Sequence, residues 1–163
     1  MASPKGYSAA QIALHWVVAL MVLFQMVFGE SMGMVWGAAR RGLAPQIGLM
    51  VWAHIVVGSA VLAFALWRLI LRRQRGVPQV PQGGSDMIRR AAGLGRWLLY
   101  AVMILAPMTG LAAWYGGIMQ AAQLHQLLKP VIILLVAGHV VAALWHQFWL
   151  KDRLILRMMR PSD

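Results

Sequence analysis

Residues 124–152, LHQLLKPVIILLVAGHVVAALWHQFWLKD, place His125, His139 and His146 in a stretch that is otherwise strongly apolar. A membrane-spanning helix needs about 20 apolar residues, and the stretch supplies them from about residue 125 to residue 150. Ionisable side chains inside a membrane are costly and usually face a bundle interior or a functional path. The stretch therefore predicts a membrane helix whose histidines have a function.

The composition of the whole chain agrees with a membrane setting. Of its 163 residues, 61% are hydrophobic and 12% are charged, whereas soluble domains have about 45–50% apolar and about 25% charged residues. The length suits one domain, so we expect residues 1–163 to form a single integral membrane domain. The chain has no cysteine, which excludes disulfides, thiolate iron–sulfur clusters, c-type haem attachment and cysteine–zinc sites.

Three more apolar spans precede the first stretch, at about residues 9–35, 47–71 and 97–115. Short loops join antiparallel neighbours, so the sequence predicts an all-α membrane protein, a bundle of four transmembrane helices in up-down-up-down order. The longer middle loop, RRQRGVPQVPQGGSDMIRR (72–90), has no apolar period and predicts an irregular linker. We expect the first span to be retained rather than cleaved as a signal peptide, because its apolar region is too long and only Lys5 precedes it.

The basic residues predict the orientation of the bundle. The net charge is +11, and most basic residues lie before the first span, between the second and third spans, or after the fourth. The positive-inside rule therefore places both termini and the middle loop in the cytoplasm, and Arg40, Arg41 and Lys129 on the outer side. Basic residues at membrane edges favour anionic lipid as the partner and argue against nucleic acid.

All five histidines lie in or at the edge of the apolar spans. His125 and His139 are 14 residues apart, which on an α-helix is a rise of roughly 21 Å and a net rotation of about 40°. They therefore share one face at two depths. His15 lies near the cytoplasmic end of the first span and His54 near the outer end of the second, so each leaflet has one histidine from these spans and one from the fourth.

This arrangement favours one kind of cofactor over its alternatives. Zinc needs a compact cluster of ligands, and a proton relay needs carboxylates, of which the spans hold only Glu30. Two haems with two histidine ligands each need four histidines on two levels, and the sequence supplies five. A lone histidine could be a hydrogen-bonded packing residue. Gly58 and Gly138, near histidines on their helices, suit a slot for a flat macrocycle or, equally, close helix packing.

The chain resembles the bacterial cytochrome b561 family from about residue 7 to residue 159. The resemblance rests on ALHWVVAL (13–20), MVWAHIVVGSAVLAFALWRLILR (50–72), ILAPMTGLAAWY (104–115), LHQLLKP (124–130) and AGHVVAALWHQFWLKDRLILRMM (137–159). It implies four transmembrane helices, two haem b groups and electron transfer in the inner membrane to or from quinone. Some relatives oxidise superoxide at the outer face and reduce quinone.

Carried onto this chain, the family pattern implies four axial ligands. His15 and His139 would hold the cytoplasmic-side haem, and His54 and His125 the outer haem. His146 lies on nearly the same face as His139 and is the alternative partner for His15, although the 14-residue spacing favours His139.

Several basic residues have candidate roles beside these ligands. Arg68, Arg72 and Arg73 are candidate contacts of haem propionates, or they mark the cytoplasmic boundary. Lys129, one turn from His125, is a candidate for steering superoxide, or it anchors lipid headgroups.

The resulting expectation is a membrane cytochrome with two haem b groups that exchanges electrons with ubiquinone or ubiquinol, and as an enzyme it would be a superoxide:ubiquinone oxidoreductase. One alternative keeps the haems but makes the chain the cytochrome subunit of a larger dehydrogenase or hydrogenase. The other is a transporter or scaffold without haem.

Overall fold

The computed structural model describes residue 4, residues 6–78 and residues 86–161. Lys5 and the part of the predicted linker from residue 79 to residue 85 lie outside the described residues. The described chain is helical without strands: α1 (Ala9–Phe28), α2 (Glu30–Arg40), α3 (Leu49–Arg75), α4 (Asp86–Gly116), α5 (Met119–Phe148) and α6 (Leu154–Arg157). Helices α1, α3, α4 and α5 are long and apolar enough to cross a membrane. The predicted all-α bundle of four transmembrane helices is confirmed.

The first predicted span, residues 9–35, is two helices rather than one. Helix α1 ends at Phe28, and α2 begins at Glu30 after Gly29. Glycine is among the weakest helix formers, and a carboxylate in the first turn, as at Glu30, favours a new helix start. The membrane helix is therefore shorter than predicted, and α2 is a separate helix.

The ends of the predicted middle linker are helical, so that prediction was wrong for residues 72–75 and 86–90. Helix α3 continues to Arg75 and ends at Gly76, whose φ of 76° lies in the left-handed region that favours glycine. Helix α4 begins at Asp86, which forms an ion pair with Arg89 one turn later. Arginine is a good helix former, and helical turns outside the membrane need no apolar period.

The fourth span also begins earlier than predicted. Helix α5 starts at Met119, so His125 lies in its second turn rather than at its edge. Pro130 is inside this helix. Helix α4 has a proline of its own, Pro107, which the sequence reasoning did not consider.

The four long helices pack in chain order: α1 against α3, α3 against α4, and α4 against α5. Val102 and Ala106 of α4 and Leu128 of α5 form a buried cluster with the neighbouring Ile132 and Leu135. The backbone of α5 makes no comparably close approach to α1 or α3 over the described residues. The backbone of α5 is therefore separated from the backbones of these two helices, and side chains lie between them.

Two hydrogen bonds define one end of the bundle, which we call the inner end. Gln11 near the start of α1 donates from Nε2 to the carbonyl of Gly76 after α3 (3.1 Å), and Trp16 donates from Nε1 to the carbonyl of Met158 near the C-terminus (2.7 Å). The start of α1, the end of α3 and the C-terminal segment thus lie together. We call the opposite end, with α2 and the α4–α5 turn at Gly117, the outer end.

Candidate functional site

Four of the five histidines form two facing pairs, one near each end of the bundle. In the inner pair, the ring centres of His15 and His139 are 6.1 Å apart and the ring planes are inclined by 58°. In the outer pair, the ring centres of His54 and His125 are also 6.1 Å apart, with an inclination of 84°. Helix α5 contributes one histidine to each pair. The structure therefore brings together the same residues that the family resemblance pairs.

The spacing of both pairs fits a shared metal ion. Bonds from a metal ion to an imidazole nitrogen are about 2 Å long, so two imidazoles on opposite sides of one ion have ring centres about 6 Å apart. Both pairs meet this value, and each spans the gap between α5 and another helix. The residues present thus fit a haem iron with one axial histidine on each side. The assignment of these histidines as ligands remains a prediction.

The inner pair lies among arginines and aromatic rings. The Nη2 of Arg68 is 3.2 Å from the Nδ1 of His15, and its guanidinium carbon lies 5.8 Å from the ring centre of Tyr100. One turn further along α3, Arg72 lies over the ring of Trp97 at 5.5 Å. These contacts hold two positive charges at the inner end, one of them directly against a histidine.

A cleft opens at the inner end, next to the arginine that contacts His15. Its lining includes Tyr7, Arg68, Arg72 and Tyr100. Guanidinium and phenol groups donate hydrogen bonds that suit carboxylates, so the cleft can accept groups such as the propionates of a haem. Arg73, the third arginine predicted for this role, is exposed and does not line the cleft.

The outer pair has a different environment, built from backbone and glycines. The Nδ1 of His125 is 2.7 Å from the carbonyl oxygen of Ala106 in α4, so Nδ1–H donates and Nε2 keeps its lone pair for a metal. A Cβ on Gly110 would lie 3.1 Å from Cε1 of the His125 ring, and one on Gly29 would lie 3.5 Å from Cε1 of His54. Glycine therefore lets α4 and the end of α1 approach these rings closely.

The glycines named in the sequence analysis divide into two groups. A Cβ on Gly58 would lie 2.9 Å from the Nε2 of Gln25, so this position leaves room for a polar side chain rather than for a histidine ring. A Cβ on Gly138 would meet nothing within 4 Å.

Sequence reasoning missed Gln25, which lies beside His54. Its Nε2 donates to the backbone carbonyl of His54 at 2.8 Å. Its Oε1 is buried without a hydrogen-bond partner, as is the Nδ1 of His54. An uncharged polar residue in a membrane span is a weaker signal than a histidine, but its position within the first apolar span could have identified it.

His146 is oriented toward the C-terminal segment. Its Nδ1 is 2.5 Å from the Oδ2 of Asp152, and both side chains are 12% exposed. The other oxygen of Asp152 accepts the backbone N–H of Leu154 at 3.1 Å. The ring that faces His15 is therefore that of His139. His146 instead stabilises the turn after α5 through its contact with Asp152.

The predicted steering residue, Lys129, is exposed on α5 one turn after His125, and Arg40 and Arg41 are exposed at the end of α2. Arg40 and Arg41 lie at the outer end of the bundle, whereas Lys129 lies one turn further into α5 than His125. Within the described residues, no group of three or more His, Asp or Glu side chains could hold a metal ion by itself.

Comparisons with known proteins agree with this geometry. A family model described as prokaryotic cytochrome b561 matches residues 6–161. The chain is 45% identical to cytochrome b562 of Cereibacter sphaeroides, over 99% of each protein. It is 30% identical to the probable superoxide oxidase CybB of Yersinia pestis, over 95% of this chain and 96% of that one, and 26% identical to cytochrome b561 homolog 1 of Escherichia coli, over 94% and 96%. The chain therefore belongs to the prokaryotic cytochrome b561 family, and it is a multi-pass bacterial membrane cytochrome that carries haem b and transfers electrons.

Proposed function

We propose that this protein holds two haem b groups at different depths and carries electrons between them, from superoxide at the outer face to ubiquinone in the membrane. The observation that carries the proposal is the presence of two facing histidine pairs with the same 6.1 Å ring separation. On α5 the two pairs are 14 residues apart, a rise of roughly 21 Å. This supports one haem in each leaflet.

The proposed ligands are His15 and His139 for the inner haem and His54 and His125 for the outer haem. Haem b, once bound, supplies an iron that takes up and releases one electron at a time. The chain positions the ring nitrogens, and its apolar helices exclude water. Arg68 and Arg72 are the proposed contacts of the inner propionates because both line the inner cleft. Arg73 is a weaker candidate because it is exposed.

We further propose that the protein lies in the bacterial inner membrane with its inner end on the cytoplasmic side, and that both termini are on that side. The arginines at the end of α3 and the basic C-terminal segment support this orientation. Arg40 and Arg41 would then lie at the periplasmic surface, with Lys129 in the outer half of α5 one turn deeper than His125. Positive charge on this side attracts an anion such as superoxide.

Besides superoxide and quinone, the overall reaction needs only two protons, which water supplies. Two superoxide anions give up one electron each and become dioxygen, and one quinone takes up the two electrons and two protons to become quinol. Quinone suits a chain of four apolar helices with short connections, because such a chain meets lipid-soluble partners within the bilayer. The 30% identity to a probable superoxide oxidase supports superoxide as the donor.

The first test is a pyridine haemochrome assay on the detergent-purified protein, with reduced-minus-oxidised spectra. We expect two haem b groups per chain, and one in each of the variants His15→Ala and His125→Ala. The variant His146→Ala is the matched control on α5 and should retain two. A colourless protein from cells with ample haem would contradict the proposal. Loss of a haem in His146→Ala with retention in His139→Ala would reassign the inner ligand.

The second test measures the reaction. In liposomes with a superoxide generator and a soluble ubiquinone analogue, the wild-type protein should form quinol, and His125→Ala should not. Haem loading and redox spectra without quinol formation would instead support the cytochrome subunit of a larger complex, and a stably co-purifying protein would then be sought.

A further inference from the structure

We propose that Gln25 positions His54 at the outer site, with its amide nitrogen held by the His54 backbone and its amide oxygen accepting the proton on the His54 Nδ1 when Nε2 binds the iron. The inference rests on the proposed function, since it concerns a haem ligand. It assigns a role to a residue outside the four histidines.

The first line of support is the contact between Gln25 and His54. The Nε2 of Gln25 donates to the carbonyl oxygen of His54 at 2.8 Å. This bond connects α1 to α3 at His54, the residue that is proposed to bind the outer haem iron. The side-chain amide is thus already fixed next to the backbone of the ligand.

The second line of support is a matched donor and acceptor that both lack partners. Three buried side-chain atoms without a hydrogen bond occur among the described residues, and two of them are Oε1 of Gln25 and Nδ1 of His54. Buried polar groups without partners are rare in folded proteins. One is an acceptor and the other becomes a donor in the tautomer that frees Nε2, so a bond between them would satisfy both.

The third line of support is the contrast with the other outer ligand. A histidine that binds a metal donates its second ring N–H to a carboxylate, a carbonyl or water. His125 has such a partner in the carbonyl oxygen of Ala106, at 2.7 Å. His54 has none, and the side chain of Gln25 is bonded to the backbone carbonyl of the same residue. The proposed bond would give both outer ligands an acceptor.

The local glycines leave room for this arrangement. A Cβ on Gly58, one turn after His54 on α3, would lie 2.9 Å from the Gln25 amide nitrogen. That amide is the end of a flexible side chain, so Gly58→Ala would displace it rather than the helix. Gly58→Ala is therefore a second way to disturb Gln25 without changing the glutamine itself.

The test is a spectroelectrochemical titration of the haem-loaded protein. An acceptor on Nδ1 gives the imidazole more anionic character and stabilises the ferric form. Gln25→Leu should therefore shift the outer transition, identified as the one lost in His125→Ala, to a more positive potential. We expect roughly a tenfold change in the oxidised-to-reduced ratio, or about 59 mV for a one-electron couple. The inner transition should stay unchanged, and Gly58→Ala should move the outer one in the same direction.

The matched control is Ser59→Ala. Ser59 donates from its hydroxyl to the carbonyl of Ile55 at 2.8 Å, so this variant removes a side-chain bond to the backbone in the same turn of α3 without involving a histidine ring. It should leave both transitions in place. An unchanged outer potential in Gln25→Leu and Gly58→Ala would overturn the inference. Gln25 would then only stabilise the packing of α1 against α3.

The two proposals fail in distinguishable ways. Wild-type protein without an outer transition would overturn the proposed function and this inference with it. Wild-type protein with two transitions, of which neither responds to Gln25→Leu or Gly58→Ala, would overturn only the inference.

Discussion

The inner and outer histidine pairs have the same separation of ring centres but different surroundings. The inner His15 contacts the Arg68 guanidinium, whereas the outer His125 contacts a backbone carbonyl oxygen and lies against Gly110. The two proposed haem sites therefore have alike histidine pairs but different groups behind them. Those groups tune the reduction potential of an iron site.

The difference also concerns which ring nitrogen is available. A guanidinium only donates hydrogen bonds, so the Nδ1 of His15 accepts and its Nε2 carries the proton. Binding of iron at Nε2 then requires Arg68 to release Nδ1. The Nδ1 of His125 can donate to Ala106, and its Nε2 is free. We expect the outer site to be preorganised and the inner site to rearrange when haem binds.

The charges predict a direction of electron flow. Positive charge near an iron favours the reduced form, and Arg68 and Arg72 are at the inner site. Hydrogen-bond acceptors behind the ligands, as at the outer site, favour the oxidised form. The inner transition should therefore have the more positive potential, and electrons should move from the outer end inward, as the proposed oxidation of superoxide at the outer face requires.

The largest effect should come from closing the space at the outer site. In Gly110→Leu, a side chain would start at a Cβ only 3.1 Å from the His125 ring and displace it. We expect loss of the outer haem and retention of the inner one, so that the haemochrome assay gives one haem per chain.

The matched control for this prediction is Gly95→Leu on the same helix. A Cβ at Gly95 would meet nothing within 4 Å, so this variant should keep two haems. Two retained haems in Gly110→Leu would contradict the view that the outer pair needs a close approach of α4.

Residue type and helical period predicted histidines at two depths of the bundle, whereas the pairing of His15 with His139 and of His54 with His125 came from the family resemblance. His125 and His139 share a face at two depths whatever their neighbours are, and a polar ring in an apolar span stands out. The partner of each ring's Nδ1 could not be predicted in the same way. Ala106 contributes only a backbone carbonyl, which no residue type marks. Gln25, the proposed partner of the His54 Nδ1, is bonded to the His54 backbone carbonyl across 29 positions of sequence.

The helix boundaries failed for a related reason. Hydropathy locates the part of a helix that lies in lipid, so it missed the polar turns of α4 that begin at Asp86 and the last turn of α3. Hydropathy also failed to detect the helix break at Gly29, because the first turns of α2 still contain apolar residues. The membrane-crossing segments were predictable, and the helix ends outside lipid were not.

A middle-sized effect should come from the inner charges. Arg68→Gln removes the guanidinium next to His15, so the inner transition should shift to a more negative potential. A change on the order of tenfold in the oxidised-to-reduced ratio, about 59 mV, is expected for one charge at this range. The outer transition should not move in the same redox titration.

Arg73→Gln is the matched comparison, since Arg73 is exposed and does not line the cleft. It should change the inner potential less than Arg68→Gln does. Equal shifts in the two variants would mean that the inner site responds to the general charge of the inner end and not to the position of Arg68 beside the inner histidine pair.

The smallest effect should come from the exposed positive charge in the outer half of α5. Lys129 is exposed one turn after His125, so Lys129→Gln should lower the rate of superoxide-driven quinol formation by about two- to threefold at low ionic strength. The difference from wild type should shrink as salt is added, because screening acts on exposed charges.

Lys151→Gln, the same change at the inner end, should leave the rate unaltered. If both lysine variants slowed the reaction equally, or if the effect of Lys129→Gln did not depend on salt, attraction of an anion to the outer face would not be the cause. The two ends of the bundle would then differ only in the reduction potentials of their haems.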